Sequence, residues 1–219
     1  MSLIKRLSNL FGTHRRRIKV LSKNLKAEEF TIFSNNYIGG VFTHDVGRRF
    51  NSPTVNLTLD GHSFIKFLQN PKQYVGGKFV EKKKEGWTCP IGSVKDITVD
   101  FVHYKTLEEG ANKWNERSNR IVWNNIYVIA TGHYDMENRP DLMEAFDKLA
   151  YPKIMFTLKE WPQYDWAVHV KGFLKYDPVP PFTGIASITG KRVYEKIFDL
   201  VSWINIQEIK KLNKYNNET

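Results

Sequence analysis

Apolar and polar residues alternate in blocks from residue 28 onward, and each block has its own period. Residues 30–33, Phe-Thr-Ile-Phe, are β-branched or aromatic and predict a strand that stops at Ser34-Asn35-Asn36. Residues 37–50 have helical spacing interrupted by Gly39-Gly40, residues 54–59 predict a second strand, and residues 61–74 predict a helix with Phe64, Ile65 and Leu68 on one face. A loop or hairpin tip follows in GGKFVEKKKEGWTCPIG, where glycines and a charged tract break the pattern. Residues 94–104 alternate as one strand with a single irregularity, and residues 106–119 predict a polar helix with Thr106 as N-cap three residues before Glu109. Strand 126–130, helix 140–149, strand 153–157 and strand 167–172 come next. The proline-rich KYDPVPPFTG cannot be regular, and residues 191–205 predict a closing helix with Val193, Ile197, Leu200, Val201 and Ile204 facing inward.

Short apolar strands alternating with helices predict an α/β fold: a Rossmann-like layered domain with a mainly parallel sheet, its strands covered on both faces by flanking helices. In such sheets ligands bind beyond the carboxyl ends of the strands. Four strand ends here carry polar residues: Ser34-Asn35-Asn36, Asp60-Gly61-His62, Thr131 to Asp135, and Thr157 to Glu160. A parallel sheet would bring them to one rim.

Composition bounds this picture. A chain of 219 residues with 41% hydrophobic content can bury one substantial core. The single cysteine, Cys89, excludes an internal disulfide framework and a multi-cysteine zinc site, and no partner base marks it as a nucleophile. Charge is more informative. The net +10 resembles that of a nucleic-acid binder, yet residues 1–27 hold eight Lys and Arg and no acid, which leaves 25 basic against 23 acidic residues elsewhere. Residues 1–27 therefore read as a basic amphipathic arm, residues 28–206 as a single α/β domain, and residues 207–219 as a polar tail. The arm lacks the continuous apolar stretch of a signal peptide or a membrane span. It fits an anionic membrane surface, or equally a helix packed on its own domain or a disordered basic tail.

Candidate chemistry sits on the rim. Gly39 and Gly40 near a helix start can free backbone N–H groups for a phosphate, and Asn35 and Asn36 can bond sugar or ribose hydroxyls. The competing reading gives the glycines to close packing and the asparagines to capping. SNNYIGG is neither a dinucleotide fingerprint nor a P-loop. Arg48 can pair with a diphosphate, and His44-Asp45 are neighbours that do not face each other on a helix. His133, Asp135 and Glu160 are the acid/base candidates, each with a bland alternative as turn or cap residue. WPQYDW can stack on a sugar or pack under a loop. The histidines are scattered and no D-x-D triplet occurs, so no metal site is predicted.

The segments FTIFSNNYIGG, RRFNSPTVNL, FIKFLQNP, FDKLAYPKIMFT and RVYEKIFDLVSWIN resemble, in order and spacing, a bacterial family of domains of unknown function associated with exopolysaccharide and capsular polysaccharide biosynthesis. The resemblance covers roughly residues 28–206. It implies a glycosyltransferase of cell-surface polysaccharide assembly, moving a sugar from a nucleotide-sugar donor to a lipid-linked glycan, cytoplasmic and peripheral on the inner membrane face. Ser34, Asn35, Asn36, Gly39, Gly40, Asn51, Pro53 and Thr54 match the family pattern, and all of these but Pro53 become, with Arg48, candidates for donor binding. The donor is a substrate; no cofactor is expected and metal dependence stays open. The competing class is a non-catalytic basic adaptor on a membrane or, less favoured, on nucleic acid, because the folded part is nearly neutral.

Overall fold

The computed structural model describes residues 12–132, 135–171 and 183–218. It divides into two compact units: Phe30–Gly40 with Phe50–Lys175, and Met1–Glu29 with Val41–Arg49 and Tyr176–Thr219. This division groups the described part of the basic arm with the C-terminal residues, where the sequence reading sets an arm, a domain and a tail apart.

The larger unit is built on a four-stranded parallel sheet, β1 (Thr31–Phe33), β5 (Ile126–Thr131), β6 (Lys153–Thr157) and β7 (Ala167–His169), in the order β1-β5-β6-β7. Phe33 pairs with Val128, Thr131 with Phe156, and Thr157 with His169. The central strand is buried at all six residues, which explains its unbroken apolar run. Helices flank the sheet: α3 (Gly61–Gln69), α4 (Leu107–Ser118) and α5 (Pro140–Asp147). This is the layered α/β fold expected from the alternation.

Caps set the helix ends. Asp60 accepts from Ser63 N at the start of α3, and Thr106 accepts from Glu109 N at the start of α4. α3 stops at Gln69 because Asn70-Pro71 cannot continue it, and a single 3-10 turn, Pro71–Tyr74, takes over the rest of the expected helix. The core beneath includes Phe33, Phe64, Phe67, Tyr74, Phe101, Trp114 and Phe146, each at most 1% exposed. Each fully buried ring of this size contributes about 1.5–3 kcal/mol. Tyr164 and Trp166 of WPQYDW stack at 4.5 Å, and Trp166 Nε1 donates to Asp147 Oδ1 at 2.7 Å, so these aromatics pack under the chain.

Two of the expected strands change. Residues 94–104 are not one strand: the irregularity is a hairpin turn at Lys95-Asp96, with Lys95 at φ 52°. It joins β3 (Ile91–Val94) to β4 (Ile97–Asp100), and β2 (Val80–Lys82) completes a separate antiparallel sheet ordered β2-β3-β4. Residues 54–59 turn at Asn56, with φ 63°, and make only the isolated bridge Thr58 to Asp100. A left-handed residue breaks the extended run that β-propensity alone predicts.

The smaller unit contains α1 (Thr13–Asn24), the later turns of α2 (Ile38–Asp45) and α6 (Leu200–Glu218). α2 ends before Gly47, at φ 66°. Residues 191–205 are not one helix, since a 3-10 turn at Tyr194–Lys196 precedes α6; Asp199, whose carboxylate accepts from Ser202 N at 3.1 Å and Ser202 Oγ at 2.7 Å, stands just before its first residue, and α6 continues to Glu218 through the stretch read as a tail. Leu21, Leu25, Phe42, Val46, Tyr194 and Ile204 are buried in this unit. Asp45, 1% exposed, accepts two bonds from the Arg192 guanidinium, and Arg17 pairs with Glu195. Removing residues 1–25 would therefore take away Leu21 and Leu25 as well as charge. Leu21→Ala is expected to cost about 2–5 kcal/mol, read as a lower urea midpoint; an unchanged midpoint would show that α1 contributes no packing.

Candidate functional site

The carboxyl ends of β1, β5 and β6 do meet on one rim, and most of the expected donor-binding residues are there. Their polar atoms are turned inward. Asn35 Nδ2 donates to Thr131 O at 2.8 Å while its Oδ1 accepts from Thr131 N at 3.0 Å, so the side chain supplies the next rung between β1 and β5. Asn36 Nδ2 donates to Thr131 Oγ1 at 2.7 Å, and its Oδ1 accepts from Ile38 N at 2.9 Å. Ser34 Oγ donates to Ile129 O at 2.7 Å, Ser34 N donates to Thr54 Oγ1 at 3.0 Å, and Asn51 Nδ2 donates to Phe30 O at 3.4 Å. All five side chains are buried.

The glycines serve the same packing. A Cβ on Gly39 would stand 2.5 Å from Ser34 Oγ and 2.7 Å from Ile32 Cγ2, and one on Gly40 would stand 3.0 Å from Val55 Cγ1. Arg48 belongs to the smaller unit, where it donates to Ala27 O at 3.0 Å, Leu25 O at 3.1 Å and Ser22 Oγ at 3.3 Å. This geometry gives Ser34, Asn35, Asn36, Gly39, Gly40, Arg48, Asn51 and Thr54 structural roles in the fold. The physical reason is satisfaction of buried polar groups, which takes up the side-chain donors.

The acid/base candidates separate. Glu160 is 71% exposed at the side chain and lies 3.2 Å from His169 Nδ1, a close contact at the β7 edge without hydrogen-bond geometry. His133 lies outside the described residues. Asp135 stays on the rim, with both carboxylate oxygens accepting from Gly61 N at 3.1 and 2.9 Å. Gly61 permits this approach, because a Cβ there would meet Asp135 Oδ1 at 2.8 Å and Met136 Cγ at 2.6 Å.

Asp135 opens onto a cleft of about 380 Å³ within the larger unit. Asp60 and Asp100 supply two further carboxylates, Tyr37, Trp87 and His103 supply rings, and Lys84 supplies a cation. Asp60 and Asp135 both accept from N–H groups of the first turn of α3, which favours negative charge there. Asp100 comes from the last position of β4, held by paired backbone bonds with Thr58 at 2.9 and 3.0 Å. Lys84 Nζ is 3.5 Å from Asp100 Oδ2 and 3.8 Å from the centre of the Trp87 ring. The Tyr37 and His103 rings meet edge to face at 5.5 Å. Among the described residues, no three His, Cys, Asp or Glu side chains are grouped closely enough to hold a metal ion.

Asp100 is 9% exposed. Burial pushes its carboxyl above the ordinary value, Lys84 pulls it back, and Asp60 adds to the rise. Because the folded value exceeds the unfolded one, the ionised carboxylate costs stability at neutral pH. That cost fades as pH falls through the folded value. Asp100→Asn is thus expected to unfold at the same temperature as the parent or higher at pH 7, with a flatter acid dependence; a lower midpoint would contradict the assigned environment. Burial also pushes up the nearby Cys89 thiol, with Asp100 adding to the effect, which makes it a poor thiolate nucleophile.

Sequence reasoning missed Tyr37, Lys84, Trp87, Asp100 and His103 as one group, because they are brought together only by the fold. The available signal was local: KKKEGW sets an aromatic beside cations at a hairpin tip. Glu137 was also missed. It is 5% exposed and accepts from Leu158 N at 2.8 Å, Lys159 N at 2.9 Å and Trp161 Nε1 at 3.3 Å, tying the segment after β5 to the one after β6.

The chain is 31% identical over 190 residues to an uncharacterized protein of Haemophilus influenzae, covering 85% of this chain and 89% of that protein. Residues 10–205 match the family described as a domain of unknown function (DUF1919). With this match running through both compact units and spanning the rim and the cleft, the chain belongs to that family.

Proposed function

We propose that the protein is a glycosyltransferase of cell-surface polysaccharide assembly, acting at the cytoplasmic membrane face on a nucleotide-sugar donor and a lipid-linked glycan acceptor. The reading rests on the cleft, and above all on Asp100: a desolvated carboxylate beside a cation and an aromatic face. Carboxylates accept hydrogen bonds from sugar hydroxyls, and rings such as Trp87 and Tyr37 stack on the C–H face of a pyranose or furanose. In the proposed step an acceptor hydroxyl forms a bond to the anomeric carbon as the bond from that carbon to the nucleoside diphosphate breaks. Asp100 takes the hydroxyl proton, and Lys84 offsets charge on the leaving diphosphate.

A thermal-shift screen with nucleotide sugars and nucleoside diphosphates tests this. A ligand at 100 times its Kd adds about 2.7 kcal/mol to native stability, so a rise of several degrees is expected with at least one donor. Trp87→Ala, at a half-exposed ring, is expected to weaken that donor severalfold to tenfold, in line with the ~0.5–1.5 kcal/mol of an aromatic contact, without lowering the ligand-free midpoint. Asp100→Asn is expected to keep donor binding and lose about 10²–10⁴ in transfer. If no nucleotide sugar moves the midpoint, the enzyme reading falls and a non-catalytic adaptor of the same machinery takes its place.

A further inference from the structure

α6 divides its apolar residues between two environments. Leu200, Val201 and Ile204 are buried in their unit, none more than 7% exposed. From Ile206 the apolar residues turn outward: Ile206, Ile209, Leu212 and Tyr215 are 50, 45, 65 and 75% exposed. A spacing of three residues shifts each by roughly 60° from the one before, so they form a band that winds slowly along the helix. Lys210, Lys211 and Lys214 lie along the same stretch, and its acid, Glu208, is 3.2 Å from Lys211.

The surrounding unit carries nearly all the excess charge. Its segments hold sixteen Lys and Arg against eight Asp and Glu, so +8 of the net +10 resides there. α1 contributes exposed Arg15, Arg16, Lys19 and Lys23. Val20, also on α1, is 47% exposed.

We propose that α6, with the basic surface of its unit, docks on an anionic lipid membrane, its apolar band seated at the headgroup boundary and its lysines at the phosphates. An exposed band of aliphatic side chains marks an interaction surface, and cations beside it select a partner that is both apolar and anionic. A second copy of this chain would set like charges against each other. Nucleic acid would use the cations and leave the aliphatic band in water. No helix among the described residues is long and apolar enough to cross a membrane, so α6 lies on the surface. The inference rests on the peripheral-membrane part of the proposed function and is independent of the sugar chemistry.

Full-length protein is sedimented with vesicles of phosphatidylcholine alone and of phosphatidylcholine with phosphatidylglycerol. The parent is compared with Ile206→Ser/Ile209→Ser/Leu212→Ser, with Leu212→Ser alone, and with Lys210→Glu/Lys214→Glu. The expected result is binding to anionic vesicles only, weakened at least tenfold by the triple and the charge variants and severalfold by Leu212→Ser, with unfolding midpoints unchanged. Equal pelleting of the triple variant overturns the inference and leaves any membrane binding to other parts of the chain. Equal binding to neutral vesicles overturns the electrostatic half. If the parent does not pellet at all, the membrane part of the proposed function falls as well, while nucleotide-sugar stabilisation stands or falls by its own screen. A parent dimer that the triple variant converts to monomer, with vesicle binding intact, overturns the inference in favour of contact between copies.

Discussion

Arg192→Met is expected to destabilise the smaller unit by about 3–5 kcal/mol, because it strands a carboxylate that has almost no access to water. Asp45 is 1% exposed, and both of its oxygens receive bonds from Arg192, at 2.7 Å for Nη2 to Oδ1. Arg192 also donates to Thr183 O, so the guanidinium ties the 41–49 segment of that unit to two points of its C-terminal segment. Contrary to the expectation from helical spacing, His44 Nδ1 does reach Asp45 Oδ1, at 3.1 Å, but it belongs to a side chain 62% exposed and is a weak substitute. The measurement is urea denaturation followed by the fluorescence of Trp203, with Trp203 retained and the other tryptophans replaced by phenylalanine in parent and variant alike. Adding Asp45→Leu to Arg192→Met is expected to recover most of the loss, since an apolar pair of similar volume has no charge to desolvate. A double variant as unstable as the single one would show that packing around Arg192, and not the buried charge, sets the cost.

The second large effect is expected at Asn35. Asn35→Leu removes both partners of the Thr131 backbone at a buried site, leaving one N–H and one C=O without hydrogen bonds. At about 1–3 kcal/mol for each unsatisfied group, the loss is on the order of 2–6 kcal/mol, several times what Asn36→Ala should cost. Faster amide exchange at Thr131 is expected alongside, as β5 frays at its carboxyl end. Should Asn35→Leu instead leave stability intact while lowering affinity for a sugar nucleotide, the side chain would be a ligand contact and the rung between β1 and β5 dispensable.

The same residue shows where the sequence is readable and where it is not. Burial on both faces forces β5 and β6 into unbroken apolar runs, and those runs appear as strands without any knowledge of their partners. Thr106 was visible as a cap because a cap acts within three residues of itself, whereas Asp60, read as a strand end, was not. The hairpin at Lys95-Asp96 was hidden, since its turn lacks the glycine or asparagine that announces most two-residue loops and both arms share one alternation. Asn35 and Asn36 look like ligand contacts in one dimension because nothing local states which way an amide points. The cleft was harder still: Tyr37, Asp60, Lys84, Asp100 and Asp135 come from separate segments, and their meeting depends on a second sheet absent from the expected fold.

The route of the backbone has a practical corollary. The polypeptide passes from one compact unit to the other at residues 29–30, 40–41, 49–50 and 175–176. No single cut can release either unit intact: a fragment beginning at residue 50 lacks β1, and one ending at residue 175 lacks α6. A protease nick between residues 40 and 50 would leave both products bound through β1 and β5, so the nicked protein should elute as one species until denaturant is added. Dissection of this protein has to proceed by point substitution or by rejoining the chain in a new order.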